Sequence, residues 1–329
     1  MGVRSARYFT ACLAVVALLL LSACTDGEMV VGAPPPSSGI ASGHLVVLLI
    51  TDNVDHQYPN KGPGSIAGGI AKNAELMDVF FQRVRAATGM TVDVTRIAGS
   101  NGLDDPFTCD NIVRTIKTLP VRSGDAVMVY YSGHGFNIGT DEATRTSAQL
   151  SRYAAAEVRD RPPTQFPFLA CGTQVRDSPN LDLIAAWLAD KRPRLTVVMA
   201  DACNSFEGGS GPAAESFFGA GTRGLTVDLR LRSLFVEARG TVLMTGSQRG
   251  HYSYYDAGFM HPGGLFTKEF LSVLSSMPID ERTTWQEVGQ RLTPMTVRVL
   301  DKRTNTMATD IQTPFLRVGA PFETAMAAQ

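Results

Sequence analysis

A histidine and a cysteine each follow a short run of apolar residues, and together they could carry out nucleophilic chemistry. His134 comes shortly after residues 127–131, and Cys203 comes shortly after residues 196–200. Such runs, rich in β-branched residues, are typical of strands that are buried on both faces of a parallel sheet. Because parallel strands end at the same edge of a sheet, we expect the two side chains to meet there. A thiol beside an imidazole is the minimum apparatus for nucleophilic catalysis.

The sequence around this pair resembles the caspase and metacaspase family of cysteine peptidases. The resemblance rests on four blocks in chain order: Tyr131-Ser132-Gly133-His134-Gly135, Asp201-Ala202-Cys203-Asn204-Ser205, residues 241–247 and residues 264–271. An aspartate two residues before the cysteine is the metacaspase form. The resemblance covers roughly residues 44–320 and implies a cysteine endopeptidase with a caspase-like α/β fold. That fold has a mostly parallel central sheet of about six strands with helices on both faces.

The same resemblance implies a role for each residue of the site. His134 would take the thiol proton of Cys203 and later protonate the leaving amine. The backbone N–H groups of Gly135 and Cys203 would form the oxyanion hole. Ser132 and Asp201 would line the pocket for a basic side chain at the P1 position of the substrate. Family members need no carboxylate behind the histidine, so we expect no third catalytic residue.

Two positions depart from the family pattern. The family often has Asn-Asp-Ala early in its first helix, where this chain has Lys72-Asn73-Ala74, so one carboxylate of the basic pocket is missing. Phe206 stands where the family tends to have glycine. Asp52 and Asp55, just after the first predicted strand, are candidates to supply the missing charge.

The amino terminus has the pattern of an export signal. Residues 8–21 form an apolar stretch behind Arg4 and Arg7 that is too short for a comfortable membrane span. The sequence Leu21-Ser22-Ala23-Cys24 resembles the lipobox of bacterial lipoproteins, in which cleavage precedes the cysteine and the cysteine carries lipid. The alternative is an ordinary secreted signal peptide with a chance cysteine.

The lipobox and peptidase resemblances together imply four regions. Residues 1–23 would be the signal peptide, residues 24–43 the lipidated Cys24 and a tether rich in Pro, Gly and Ser, residues 44–320 the peptidase domain, and residues 321–329 a tail. The protein would then lie in a bacterial cell envelope, anchored in the lipid bilayer. Thr25 after the cysteine favours the outer membrane, facing the periplasm or the cell surface.

Composition limits the other partners. The chain has 30 Lys and Arg against 31 Asp and Glu, so it lacks the excess of positive charge that nucleic-acid binding requires. Its histidines lack metal-ligand spacing, and calcium is implied only by the likeness to metacaspases, many of which require it. We expect a monomer that acts on a protein or peptide.

Cys109 and Cys171 form either a disulfide or two buried thiols, which the sequence leaves open.

Strand-like and helix-like segments alternate along a single predicted domain, which indicates a parallel sheet covered on both faces. Strands are predicted over residues 44–50, 92–97, 127–131, 196–200, 241–245 and 312–318, and helices over 69–87, 110–119, 181–189 and 265–275. The long segments 135–180 and 206–240 leave the edge that carries the site, so we expect them to shape the substrate cleft.

Two other functions compete with this interpretation. One is a clostripain-like or gingipain-like cysteine peptidase, which has similar His-Gly and Ala-Cys blocks; the match after Cys203 argues against it. The other is a binding lipoprotein that uses a caspase-like scaffold without catalysis. Intact His134 and Cys203 argue against that function, because a binding protein needs neither.

Overall fold

The computed structural model describes residues 43–56, 65–102, 104–138, 164–171, 178–206, 228–256, 263–301 and 306–319. The strands are β1 (His44–Thr51), β2 (Thr91–Ala98), β3 (Ala126–Ser132), β4 (Gly135–Phe136), β5 (Phe168–Leu169), β6 (Leu195–Asp201), β7 (Gly240–Thr245), β8 (Tyr255–Asp256), β9 (Gly263–Gly264), β10 (Met295–Asp301), β11 (Thr306–Gln312) and β12 (Phe315–Gly319). The helices are α1 (Ala67–Thr88), α2 (Cys109–Thr118), α3 (Leu181–Ala189), α4 (Leu229–Arg232, continued by a π-helical turn over Ser233–Glu237), α5 (Leu265–Ser276) and α6 (Trp285–Arg291).

Six strands form the central sheet, in the order β2-β1-β3-β6-β7-β12. The first five pair in parallel, and β12 runs antiparallel to β7 at one edge. The predicted mostly parallel sheet of the caspase-like fold is therefore confirmed. Strands β3 and β6 lie side by side near the middle, so the ends of both strands are held by neighbours.

The apolar character of the central strands follows from burial on two faces. Every residue of β3 and of β6 is buried. Alternate residues of a strand point to opposite faces, and in β1 the residues Leu45 and Leu49 join one core cluster while Val46 and Ile50 join another. Helices α1, α4, α5 and α6 supply the first cluster, and helices α2 and α3 supply the second. Each fully buried side chain of this size stabilises the fold by about 1.5–3 kcal/mol.

Local capping fixes where several helices begin. The Thr108 side chain accepts a hydrogen bond from the Asn111 N–H at the start of α2. Helix α6 begins at a reciprocal capping box formed by Thr284 and Glu287. That helix was not predicted, although its Thr-x-x-Glu pattern is a recognisable start signal.

The predicted strand over residues 312–318 was wrong in extent. Strand β11 ends at Gln312 and β12 begins at Phe315. Pro314 between them has no N–H and cannot donate to a ladder, so a single continuous strand is not formed. The Gln312 side chain turns inward, where it donates to the Gly246 carbonyl and accepts from the Tyr254 N–H.

Parts of the sequence prediction lie outside the described residues. They include the signal peptide, Cys24, the tether up to residue 42, the tail, and much of the two long segments, at 139–163, 172–177 and 207–227. Within the described ranges, no helix is both long enough and apolar enough to cross a membrane.

Candidate active site

The register of two central strands sets the positions of the histidine and the cysteine. In the parallel pair of β3 and β6, Ser132 lies opposite Asp201, and each strand ends there. His134 and Cys203 each lie two residues beyond this pair, and the Gly133 N–H donates to the Asp201 carbonyl at 3.3 Å. The two predicted catalytic residues therefore stand at the same edge of the sheet. Both are buried, with exposed fractions of 2% for His134 and 4% for Cys203.

Hydrogen bonds hold both the backbone and the ring of His134. Its backbone oxygen accepts from the Tyr131 hydroxyl at 2.6 Å and from the Ala170 N–H at 3.0 Å. Its ring Nε2 is 2.8 Å from Oδ1 of Asp55. The contact with Asp55 therefore orients the imidazole ring through Nε2.

The residues next to Cys203 are fastened to the segment that follows His134. The Cys203 thiol donates to the Ser253 carbonyl at 3.3 Å. The Asn137 amide donates to the Asn204 side-chain oxygen at 2.6 Å, and the Asn137 N–H donates to the Ser205 carbonyl at 2.7 Å. These bonds hold together the segment after β3 and the segment after β6, because each joins buried groups that would be costly to leave unsatisfied.

Gly135 lies in a space that admits no side chain. A Cβ at this position would be 2.5 Å from the Cys203 carbonyl oxygen and 2.9 Å from the Ala202 Cβ. Its strand, β4, pairs with β5 through Leu169. The family resemblance assigns the Gly135 N–H to the oxyanion hole; the structure gives a packing reason for glycine, because the segments after β3 and β6 touch here.

The structure brings together the three residues that the family pattern assigns to the P1 pocket. The Asn73 amide donates to Ser132 Oγ at 3.0 Å and to Asp201 Oδ2 at 3.2 Å. The Gly264 N–H donates to the Asn73 side-chain oxygen at 2.8 Å. The position where this chain departs from the family is therefore in direct contact with Asp201, and it offers an amide where the pattern has a carboxylate.

Asp201 is fully buried among neutral donors. It accepts from the Thr267 N–H at 3.0 Å, from the Thr267 hydroxyl at 2.7 Å and from the Ser253 hydroxyl at 3.0 Å. Burial raises the pKa of Asp201, and the hydrogen bonds from Thr267, Ser253 and Asn73 only partly oppose this. The Tyr255 hydroxyl covers the same corner, since it donates to the Asp201 backbone oxygen at 2.7 Å.

Asp52 and Asp55, the two aspartates after β1, bond to histidines and not to the residues assigned to the P1 pocket. Asp52 accepts the His56 N–H at 3.0 Å and also bonds to the His56 ring. Burial raises the pKa of Asp52 in spite of the hydrogen bonds and charge of His56. Asp55 bonds to His134, a contact that was not predicted from the sequence. One signal was present: Asp55 and His134 both follow the ends of neighbouring strands, β1 and β3, and so share one edge of the sheet.

A disulfide joins Cys109 to Cys171, with a Cα–Cα distance of 4.9 Å, so the structure has the first of the two alternatives that the sequence left open. Cys171 directly follows Ala170, whose N–H supports the His134 backbone. The bond therefore ties the segment behind the histidine to the start of α2. Cys203 keeps its thiol.

The described part of the chain has no group of three or more His, Cys, Asp or Glu side chains placed to hold a metal ion. We assign no calcium ligands among these residues.

Comparison with known proteins identifies the family. Residues 67–316 match the family described as the caspase domain. Among solved structures, the crystal structure of caspase-1 from Spodoptera frugiperda is similar, with a TM-score of 0.47 and 11% identity over 84% of this chain and 86% of that chain. No curated protein sequence matches. Because the family match spans most of the chain, the protein belongs to the caspase domain family of cysteine peptidases.

Proposed function

We propose that this protein is an endopeptidase that cleaves protein or peptide substrates through Cys203 and His134. The observation that supports the proposal is the register of β3 and β6: both strands end at the pair Ser132 and Asp201, and His134 and Cys203 each follow two residues later at the same edge of the sheet. A histidine next to a cysteine promotes the thiolate, which is the nucleophilic form.

In this mechanism the Cys203 sulfur attacks the carbonyl carbon of the scissile bond, and His134 holds the thiol proton. The tetrahedral intermediate collapses to a thioester when the C–N bond breaks and His134 donates its proton to the leaving amine. Water then attacks the thioester with His134 as base, which releases the acid product and restores the thiol. The N–H groups of Gly135 and Cys203 are proposed to stabilise both oxyanions; the contact between these two backbones supports that assignment.

Loss of either side chain should abolish cleavage without unfolding the protein. We expect Cys203→Ala and His134→Ala each to lower kcat/KM by roughly 10³-fold or more with little change in Tm. His251→Ala is the matched control, because the side chain of His251 is exposed. A folded Cys203→Ala variant that still cleaves would refute the proposal. A wild type that cleaves nothing and resists a peptidyl electrophile at Cys203 would favour the binding lipoprotein.

We further propose a preference for Arg or Lys at P1, based on Asp201 and Ser132. The donors around Asp201 named above are neutral, so a cationic P1 group would add a charge-assisted interaction that a buried carboxylate otherwise lacks. Asp201→Asn should therefore lower kcat/KM for basic substrates far more than for neutral ones. A P1 profile that favours Asp would refute this preference.

Anchoring is proposed through lipid on Cys24, with the protein in the bacterial envelope, in the outer membrane and facing the periplasm or the cell surface. The support is the Leu21-Ser22-Ala23-Cys24 sequence. Cys24→Ala should release the protein from the membrane fraction or block its processing. Unchanged membrane association together with unchanged mature mass would contradict the assignment.

A further inference from the structure

A buried carboxylate stands directly behind the catalytic histidine. Asp55 Oδ1 is 2.8 Å from Nε2 of His134, and the exposed fractions of the two side chains are 0% and 2%. Burial acts to raise the pKa of Asp55, but the hydrogen bond and electrostatic interaction with His134, together with the hydrogen bonds from Ile66 and Ser65, outweigh it, so the pKa is lowered. The carboxylate is therefore anionic at neutral pH and faces the ring nitrogen of a protonatable group.

The rest of Asp55 is built to hold this carboxylate in place. Its second oxygen, Oδ2, accepts the Ile66 N–H at 2.8 Å, and the Ser65 side chain also hydrogen-bonds to the carboxylate. Its own N–H donates to the Asp52 carbonyl at 3.0 Å. Asp55 has φ of 57°, a left-handed conformation that costs a non-glycine residue free energy and that recurs at functional sites.

Other titratable groups face the same region but have different partners. Asp52, at the end of β1, bonds to His56, and the second ring nitrogen of His56 bonds to Asp105. Tyr131, at the end of β3, remains neutral because burial raises its pKa far above the ordinary value. Among these groups, Asp55 is the carboxylate that hydrogen-bonds to the His134 ring.

We propose that Asp55 is a positioning residue of the active site: its carboxylate keeps a proton on His134 Nε2, so that Nδ1 exchanges protons with Cys203. This inference rests on the proposed function and adds a third residue to its Cys-His pair. An anionic partner on Nε2 stabilises the imidazolium, and hence the thiolate–imidazolium pair in which the sulfur is ready to attack.

The substitution Asp55→Asn probes this role because both oxygens of Asp55 act as acceptors. An asparagine keeps only one acceptor. If its oxygen satisfies the Ile66 N–H, its NH₂ group faces His134 Nε2, which must then give up its proton. The imidazolium is disfavoured and Nδ1 carries the proton in the neutral ring, which is the wrong tautomer for a base.

Two measurements on Asp55→Asn test the proposal. We expect kcat/KM to fall on the order of 10²-fold, mainly through kcat, which is the contribution of a well-positioned acid–base group. We also expect the rate of Cys203 alkylation by iodoacetamide, followed by mass spectrometry, to have its acidic midpoint moved to higher pH by about one to three units. Asp105→Asn makes the same chemical change beside His56 and should move neither quantity. A kcat/KM within twofold of wild type and an unmoved midpoint would overturn the proposal.

The alkylation assay needs no peptide substrate, so it separates this inference from the peptidase proposal. Failure to cleave any peptide would refute the proposed function, while the pH midpoint would still decide the role of Asp55. Should Asp55→Asn not fold, ¹⁵N-histidine NMR of the wild type gives the second test, with His134→Ala for assignment. Nε2 should stay protonated through the neutral range; a neutral ring with its proton on Nδ1 would overturn the proposal.

Discussion

Gly135→Ala tests whether activity depends on the contact between the segment after β3, which carries His134, and the segment after β6, which carries Cys203. The added Cβ would lie 2.5 Å from the Cys203 carbonyl oxygen and 3.2 Å from the Phe168 carbonyl oxygen, whereas ordinary contact begins at 3.4 Å. Both neighbours are backbone atoms, so neither can rotate away. The segment after His134 and the segment after Cys203 must therefore separate by about 1 Å.

The expected magnitudes follow from that displacement. Overpacking of this kind costs about 1–3 kcal/mol of unfolding free energy, which corresponds to a fall in Tm of about 2–10 °C for a domain of this size. A displacement of about 1 Å at a reacting centre costs roughly 10²-fold in rate. We therefore expect kcat/KM to fall much further than the modest loss of stability alone would explain, because the proposed oxyanion donors and Cys203 move relative to His134.

The assay is thermal unfolding together with kcat/KM on one peptide substrate. Gly68→Ala in α1 is the matched control, since a Cβ there meets nothing within 4 Å. It should raise stability by up to about 1 kcal/mol, because alanine favours helix more than glycine does, and should leave activity unchanged. Gly135→Ala with wild-type Tm and kcat/KM within threefold of wild type would refute the reasoning.

Three further predictions concern the disulfide and two buried polar side chains. Replacing both Cys109 and Cys171 by serine should lower the free energy of unfolding, measured in urea, by about 4 kcal/mol, because the bond closes a loop over a sequence separation of 62. Asn73→Asp should raise the preference for Arg or Lys in a P1 series, since it sets a second carboxylate beside Asp201. The pKa of Asp55 is lowered from 3.8 because its interactions with His134, Ile66 and Ser65 together outweigh the effect of burial, so its stabilisation is complete above that value and is lost as the pH falls through the folded-state pKa. In urea unfolding at stepped pH, wild type should therefore lose more stability than Asp55→Asn between about pH 4 and about pH 2.

Each of these predictions has a control. Wild type treated with a reducing agent should reproduce the stability of the double serine variant, and a loss below about 1 kcal/mol would contradict the disulfide argument. Asn73→Ala removes the amide without adding charge, so an equal shift in P1 preference for both Asn73 variants would rule out the electrostatic explanation. Parallel stability curves for wild type and Asp55→Asn would show that this carboxylate is not linked to folding.

Much of the fold could be predicted because it depends on local pattern. A strand covered on both faces must be apolar at every position, and β3 and β6 are recognisable for that reason. The parallel arrangement follows from alternating strands and helices, and it already places His134 and Cys203 at the same edge of the sheet. The start of α2 at Thr108 is equally local, because the cap bonds to an N–H three residues later.

The partners of the candidate site residues could not be predicted in this way. Asn73 contacts Gly264 across 191 residues, and Asp55 contacts His134 across 79. Their positions depend on strand register, on the left-handed turn at Asp55 and on where each helix packs, none of which has a periodic signature in the sequence. The antiparallel edge strand β12 was likewise placed by its pairing with β7 after the break at Pro314. Periodicity reports which face of an element is buried, whereas only the assembled tertiary structure decides which buried groups meet.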